Sequence, residues 1–313
     1  MSFAKSVKDE LINFKSTKAD QLAELSALLH LHTSIQINNL GTTLAFNTNN
    51  AGIARRFVIL LKGLYQSEVE LFSKSSSKLR KRGYIVVVKT HVMKIITEHS
   101  MLDQNIGMYE LLTQTDETKR AYIRGCFLAS GSVNDPSKPT YHLEIFTEDK
   151  IEAIFIQRLM NHFDLNAKIT TRRKGLIIYL KEAEAISVFL SVIGANESMF
   201  KYEDIRIKRD FNNSINRLIN IEVANERKTI MAANRMLKDI ELIRENRDFE
   251  LLDKKLRDTI ILREENPDAS LNELIIEYQK MTTEPLSKSG MNHRLLKIRE
   301  LADSIREGRE SDV

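Results

Sequence analysis

A chain of 313 residues with 42% hydrophobic content is long enough for two globular domains, and it holds no apolar run near the ~18 residues of a membrane span. Lys5, Lys8, Asp9 and Glu10 interrupt the N-terminus too early for a secretion signal, and a lone cysteine, Cys126, excludes an internal disulfide and fits a reducing cytoplasm. Forty-seven basic residues against 43 acidic ones leave a net charge of +4, too balanced to mark the whole surface as polyanion-binding, so any nucleic-acid signal has to be local.

Val7, Leu11, Ile12 and Phe14 alternate with Lys5, Lys8, Lys15 and Lys18 in a pattern that predicts a short amphipathic helix. Its basic side is either solvated or laid on DNA. A first unit follows: a helix over about 19–31, a hairpin of strands 34–38 and 42–47 broken at Asn39-Leu40-Gly41, a helix over about 51–65, strands near 69–73 and 84–90, and a helix near 93–98. The second unit repeats that order, with a helix over 117–129, a strand at 132–134, a turn through Asp135-Pro136-Ser137-Lys138-Pro139, a strand at 141–146, a helix over 149–162, strands at 168–171 and 176–181, and a helix over 183–193. The repetition predicts an α+β fold, a duplicated αββαββα domain over 1–205 with lobes of about 1–105 and 106–205.

Gly125 inside a helix costs roughly 1 kcal/mol against alanine and needs a reason. Ala129 lies on the same face, and Ala27 stands where Gly125 does in the first unit, so two central helices packed through small residues would give a pseudo-two-fold core. From 206 to 248 strand signals vanish and apolar residues recur at helical spacing, which predicts a helical linker of one long helix or two. Its asparagines Asn212, Asn213, Asn216 and Asn220 either cap and dock the linker or meet a DNA backbone.

Residues 249–313 predict an all-α domain of three short helices. The first ends before Asn266-Pro267, and the second opens on Ser270-Leu271-Asn272-Glu273, a reciprocal cap. In the third, Met291, Leu295, Ile298, Ala302 and Ile305 share one side, while Ser289, Asn292, His293 and Lys297 fall on the other, flanked by Lys288 and Arg299. A recognition helix needs this division, an apolar side to hold it on the preceding helix and an outer side of amide, hydroxyl and cationic groups for the major groove. Ser287 and Ser289 at its N-terminus suit a phosphate, and Arg294 completes the candidate DNA-binding set. Leu296 breaks the pattern by pointing outward, towards a thymine methyl or another protein.

The stretch Ile123 to Ser132 resembles the motif of LAGLIDADG homing endonucleases, in which two such helices lie side by side and each ends in an acid that binds a catalytic metal. Here the matching positions are His32 and Ser130. Two-metal phosphodiester chemistry requires hard oxygen ligands, so no catalytic residue, metal or cofactor is expected. With the tail included, nearly the whole chain resembles the WhiA-type regulators, a bacterial family that joins a degenerate homing-endonuclease scaffold to a helix-turn-helix domain similar to the promoter-reading domain of sigma factors. The resemblance implies double-stranded DNA as partner, with a sigma factor or another transcription regulator as a second one. It further implies roles in transcription, cell division, chromosome segregation and, in some lineages, sporulation. An active endonuclease and a protein-interaction scaffold of the division machinery are the alternatives, and promoter control is not separated from nucleoid association.

Two basic clusters sit in equivalent hairpins of the two lobes, Lys78, Arg80, Lys81 and Arg82 in one, and Arg172, Arg173 and Lys174 in the other. Each is either a charged tip that protects a sheet edge or a retained saddle for the DNA backbone. Of the seven histidines, His30 and His32 cannot share a helix face, and none stands at zinc spacing.

Overall fold

The computed structural model describes residues 2–39, 41–75, 82–102, 106–282 and 284–308. Lobe 1 runs α1 (Phe3–Leu11), α2 (Lys18–His32), β1 (Thr33–Asn38), β2 (Gly41–Thr48), α3 (Ala51–Tyr65), β3 (Val69–Ser75), β4 (Arg82–Val88) and α4 (Val92–Glu98). Lobe 2 runs α5 (Ile106–Leu112), α6 (Asp116–Ser130), β5 (Gly131–Val133), β6 (Leu143–Thr147), α7 (Lys150–His162), β7 (Lys168–Arg172), β8 (Gly175–Leu180) and α8 (Ala183–Val192). Each lobe carries a four-stranded antiparallel sheet, in orders β1-β2-β4-β3 and β5-β6-β8-β7, so the duplicated αββαββα arrangement is present in full. The short helix α5 has no counterpart in the sequence reading.

Matching caps start the two central helices. Thr17 and Asp20 satisfy each other's backbone amides at the head of α2, and Thr115 and Thr118 do the same for α6. The helices then lie against each other so closely that a β-carbon on Gly125 would stand 2.5 Å from the Glu24 carbonyl oxygen and 2.8 Å from Ala27 Cβ. That approach is the reason for the glycine.

A charge cluster absent from the sequence reading fastens the contact. Glu24, fully buried, accepts from Arg56 Nε at 2.7 Å and Nη2 at 2.9 Å, and from Arg124 Nε of the other lobe at 3.1 Å. The spare guanidinium nitrogens go to the carbonyls of Phe14, 2.8 Å from Arg56 Nη1, and Ile193, 3.3 Å from Arg124 Nη1. The Arg124 guanidinium also lies 4.2 Å from the Phe14 ring centroid. One carboxylate thus ties α2, α3 and α6 together, and every element in the tie is desolvated.

The molecule has two compact units, Met1–Asp210 and Phe211–Val313. Helix α9 (Asn196–Asn246) begins before the expected linker start at 206 and runs unbroken through it. Asn212, Asn213, Asn216 and Asn220 lie in its interior with exposed side chains, so they cap nothing. The second unit contains α10 (Lys254–Glu265), α11 (Leu271–Thr282) and α12 (Lys288–Arg306). Ile240 and Ile243, from the last turns of α9, pack with Leu256, Ile260, Ile298 and Ala302, so the end of that helix belongs to the core of this unit.

Burial also sets the protonation of several groups in the first unit. Glu152 is pushed up to about 8, chiefly by desolvation, while Thr147 Oγ1 donates to it at 3.2 Å. His30 and His99 are lowered to about 4 and about 3 by the same cause.

Two outcomes test this packing. Gly125→Ala should destabilise the first unit by about 1–3 kcal/mol in chemical denaturation even though it gains helix propensity, and Glu24→Ala by about 3–5 kcal/mol because two buried guanidiniums lose their partner. A folded pKa near 8 against 4.5 unfolded means that the Glu152 contribution is complete below 4.5 and is lost as pH rises towards 8. The stability of Glu152→Gln relative to the parent should therefore increase steadily between pH 5 and pH 8.

Candidate nucleic-acid interface

Two places in the molecule carry chemistry suited to nucleic acid, and each lies within one unit. The first is the pair of helix ends where a homing endonuclease holds its metals. Ser130 Oγ donates to the Phe146 carbonyl at 2.6 Å, and the backbone of Asn47 lies beside the His32 ring. Phe146 and Asn47 occupy the same place in their lobes, each three positions before the residue that caps the next helix, Asp149 and Asn50. At Ser130 the acid position has become the partner of a backbone carbonyl, a role that a carboxylate cannot fill because it has no proton to give.

Between these ends enters Lys8 from α1. Its side chain is partly buried, its ammonium lies 5.7 Å from the Phe127 ring centroid, and desolvation lowers its pKa to about 8. Desolvation, aided by the Lys8 charge, lowers the pKa of His32. Lys8 is therefore drawn between the helix ends, and is not one of a row of freely solvated side chains. An imidazole, a hydroxyl and an ammonium are the wrong donor set for Mg²⁺ or Mn²⁺, which take hard oxygen ligands. The site does not fit a two-metal nuclease.

The basic hairpins are only partly described. Lys78, Arg80 and Lys81 lie outside the described residues, and Arg82 opens β4. Arg172 ends β7 with an ion pair to Glu144 at 3.0 Å, and Arg173 and Lys174 are exposed in the turn that follows.

The second place is the recognition-type helix α12. Ser287 caps it by accepting from the Gly290 amide at 3.1 Å, and the Ser270–Glu273 box caps α11, with the Ser270 amide donating to Glu273 at 2.6 Å. Leu262, Leu274, Tyr278 and Met291 close the angle between α11 and α12, and Ile298 and Ala302 seat the C-terminal half on α10 and α9. Arg263 fixes the turn after α10 by donating to the Ala269 carbonyl at 2.7 Å. Arg306 anchors the last turn of α12 to Asp239 of α9.

With its apolar side consumed in this way, α12 presents Lys288, Ser289, Asn292, His293, Leu296, Lys297 and Arg299 as exposed side chains. Arg294 does not join them, since its guanidinium stacks 4.6 Å from the Tyr278 ring centroid on the preceding helix. A groove of about 350 Å³ between α12 and the end of α9 is bordered by Asn292, Leu296 and Arg299, facing Ala232 and Met236. Ser289, His293 and Lys297 stand clear of that groove. Exposed Glu300 bounds the cationic patch, which is confined to the first three turns.

A duplicated homing-endonuclease-like scaffold whose metal-binding acids are gone, continued by a helix-turn-helix unit, defines the class. Family models describe the same parts: the WhiA N-terminal LAGLIDADG-like domain matches 18–102, the WhiA LAGLIDADG-like domain 119–212, and the WhiA C-terminal HTH domain 215–302. The chain is 42% identical to the probable cell division protein WhiA of Staphylococcus epidermidis and 43% identical to that of Staphylococcus carnosus, with all of both chains covered in each case. Full-length DUF199/WhiA from Thermotoga maritima has the same fold, at a TM-score of 0.60 and 24% identity with full coverage of both chains. The chain belongs to the WhiA family.

Restoring an acid should not restore cutting. Ser130→Asp removes the proton given to the Phe146 carbonyl and sets a carboxylate against that oxygen, so the variant should melt below the parent and leave plasmid DNA unnicked in Mg²⁺ or Mn²⁺. Metal-dependent turnover by it would overturn this account of the helix ends.

Proposed function

We propose that this chain is a sequence-specific DNA-binding regulator without enzymatic activity, acting in bacterial cell division and chromosome segregation and, in some lineages, sporulation. Association with the nucleoid in the cytoplasm belongs to the same proposal. The observation that carries it is the outer face of α12, where Ser289, His293 and Lys297 are exposed and Asn292 is held at the rim of the groove beside α9. Amide, imidazole and ammonium groups on a rigidly seated helix are what major-groove readout requires. Lys288 and Arg299 supply phosphate contacts, and Ser287 keeps its hydroxyl proton for one while its oxygen caps the helix. Arg294 enters this proposal as the residue that holds α12 on α11, and Arg82, Arg172, Arg173 and Lys174, with Lys78, Arg80 and Lys81, as weak backbone contacts of the scaffold.

A second surface supports a protein partner. Leu296, 49% exposed, overhangs the groove lined by Ala232 and Met236, an apolar setting suited to a sigma factor or another transcription regulator docking beside the recognition helix.

Mobility-shift titrations on operator DNA at several salt concentrations test the first reading. Asn292→Ala and His293→Ala should each cost about 1–3 kcal/mol on operator DNA and little on random sequence. Lys288→Ala and Arg299→Ala should weaken both alike and flatten the salt dependence by about one ion each. Unchanged operator binding in all four variants would remove α12 from the interface.

A further inference from the structure

The cleft at the ends of α2 and α6 has a volume of about 1010 Å³, inside the first unit. Its described lining includes no carboxylate. Lys5 and Lys8 come from α1, His32, Asn47 and Asn49 from lobe 1, and Ser132 from lobe 2. Lys8 has no ion pair among the described residues; its neighbours are the Phe127 ring and the His32 imidazole.

A partly buried ammonium facing a roomy polar space is an unbalanced charge. Desolvation penalises it, and the carbonyl ends of α2 and α6 offset only part of that penalty. An anion in the cleft would supply the missing partner. The donors around it are spread over both lobes: the side-chain amides of exposed Asn47 and Asn49, the Ser132 hydroxyl and the Lys5 ammonium at the mouth. A spread of donors matches a tetrahedral oxyanion with several acceptor oxygens better than a planar carboxylate. The volume is that of a small-molecule site and exceeds what a single phosphate fills.

We propose that this cleft is a phosphate-binding site, with Lys8 in the place of the lost metal ions as the anchoring charge and Asn49, Ser132 and Lys5 as the surrounding donors. Its ligand carries a phosphate group, either as a diffusible phosphorylated compound or as the backbone of a nucleic acid. The assignment is of binding alone.

Calorimetric titration of the full chain with inorganic pyrophosphate and with ADP, at fixed ionic strength, tests it. Saturable one-to-one binding is expected, weakened about tenfold in Lys8→Met, through loss of one charge-assisted hydrogen bond, and largely retained in Lys8→Arg. Asn49→Asp, at an exposed position that the fold does not depend on, should weaken it as well. A DNA duplex that displaces pyrophosphate identifies the backbone as the source of the phosphate, and failure to displace identifies a diffusible compound. Asn292→Ala and His293→Ala should leave pyrophosphate binding intact, so failure of the helix-turn-helix reading and failure of this one are told apart. No saturable binding, or equal binding by the parent, Lys8→Met and Asn49→Asp, would overturn the proposal.

Discussion

The first unit depends on one buried carboxylate. Glu24 receives three hydrogen bonds from two guanidiniums, one from its own lobe and one from the other, at the point where α2 and α6 come closest. Such a cluster adds little net stability over a well-packed apolar core, but it penalises every arrangement in which one partner is missing. The two helices can slide or rotate only by breaking it. The alignment of the helix ends, and hence the shape of the cleft there, follows from Glu24 together with the absent side chain at Gly125.

That alignment is present without the acids that metal-dependent cleavage requires. A nuclease needs its helix ends in register so that two acids share metal ions; this chain keeps the register and substitutes an imidazole, a hydroxyl and an inserted ammonium. The substitutions are consistent with one another, because each removes negative charge or adds positive charge in the same small volume. The proposed DNA contact lies in a different unit, in which α12 is held by caps, by Tyr278 and Met291, and by the end of α9 rather than by a sheet.

Much of this was legible in the sequence. The repeated order of elements, the small residue at Gly125, the Ser270–Glu273 cap and the two-sided pattern of α12 each depend on neighbours a few positions away, and all were readable. Glu24, Arg56 and Arg124 were not, because charged residues in amphipathic helices ordinarily face water and only the third dimension brings residues so distant along the chain onto one carboxylate. The place of Lys8 was hidden for the same reason: its spacing matches that of the exposed Lys5, Lys15 and Lys18, and nothing local shows that it alone turns in towards Phe127. Arg294 joined the candidate DNA-binding set as one more cation of the helix, and its stacking on the ring of Tyr278 depends on another helix and was not legible.

The participation of Ile240 and Ile243 in the core around α10 and α12 decides where this protein can be divided. A fragment cut at the start of the three short helices would expose one wall of its own interior and lose the Asp239 anchor of Arg306. The smallest autonomous form of this helical unit therefore has to carry the closing turns of the long helix with it, and any strain, bend or twist transmitted along those turns arrives directly beneath the exposed face of α12.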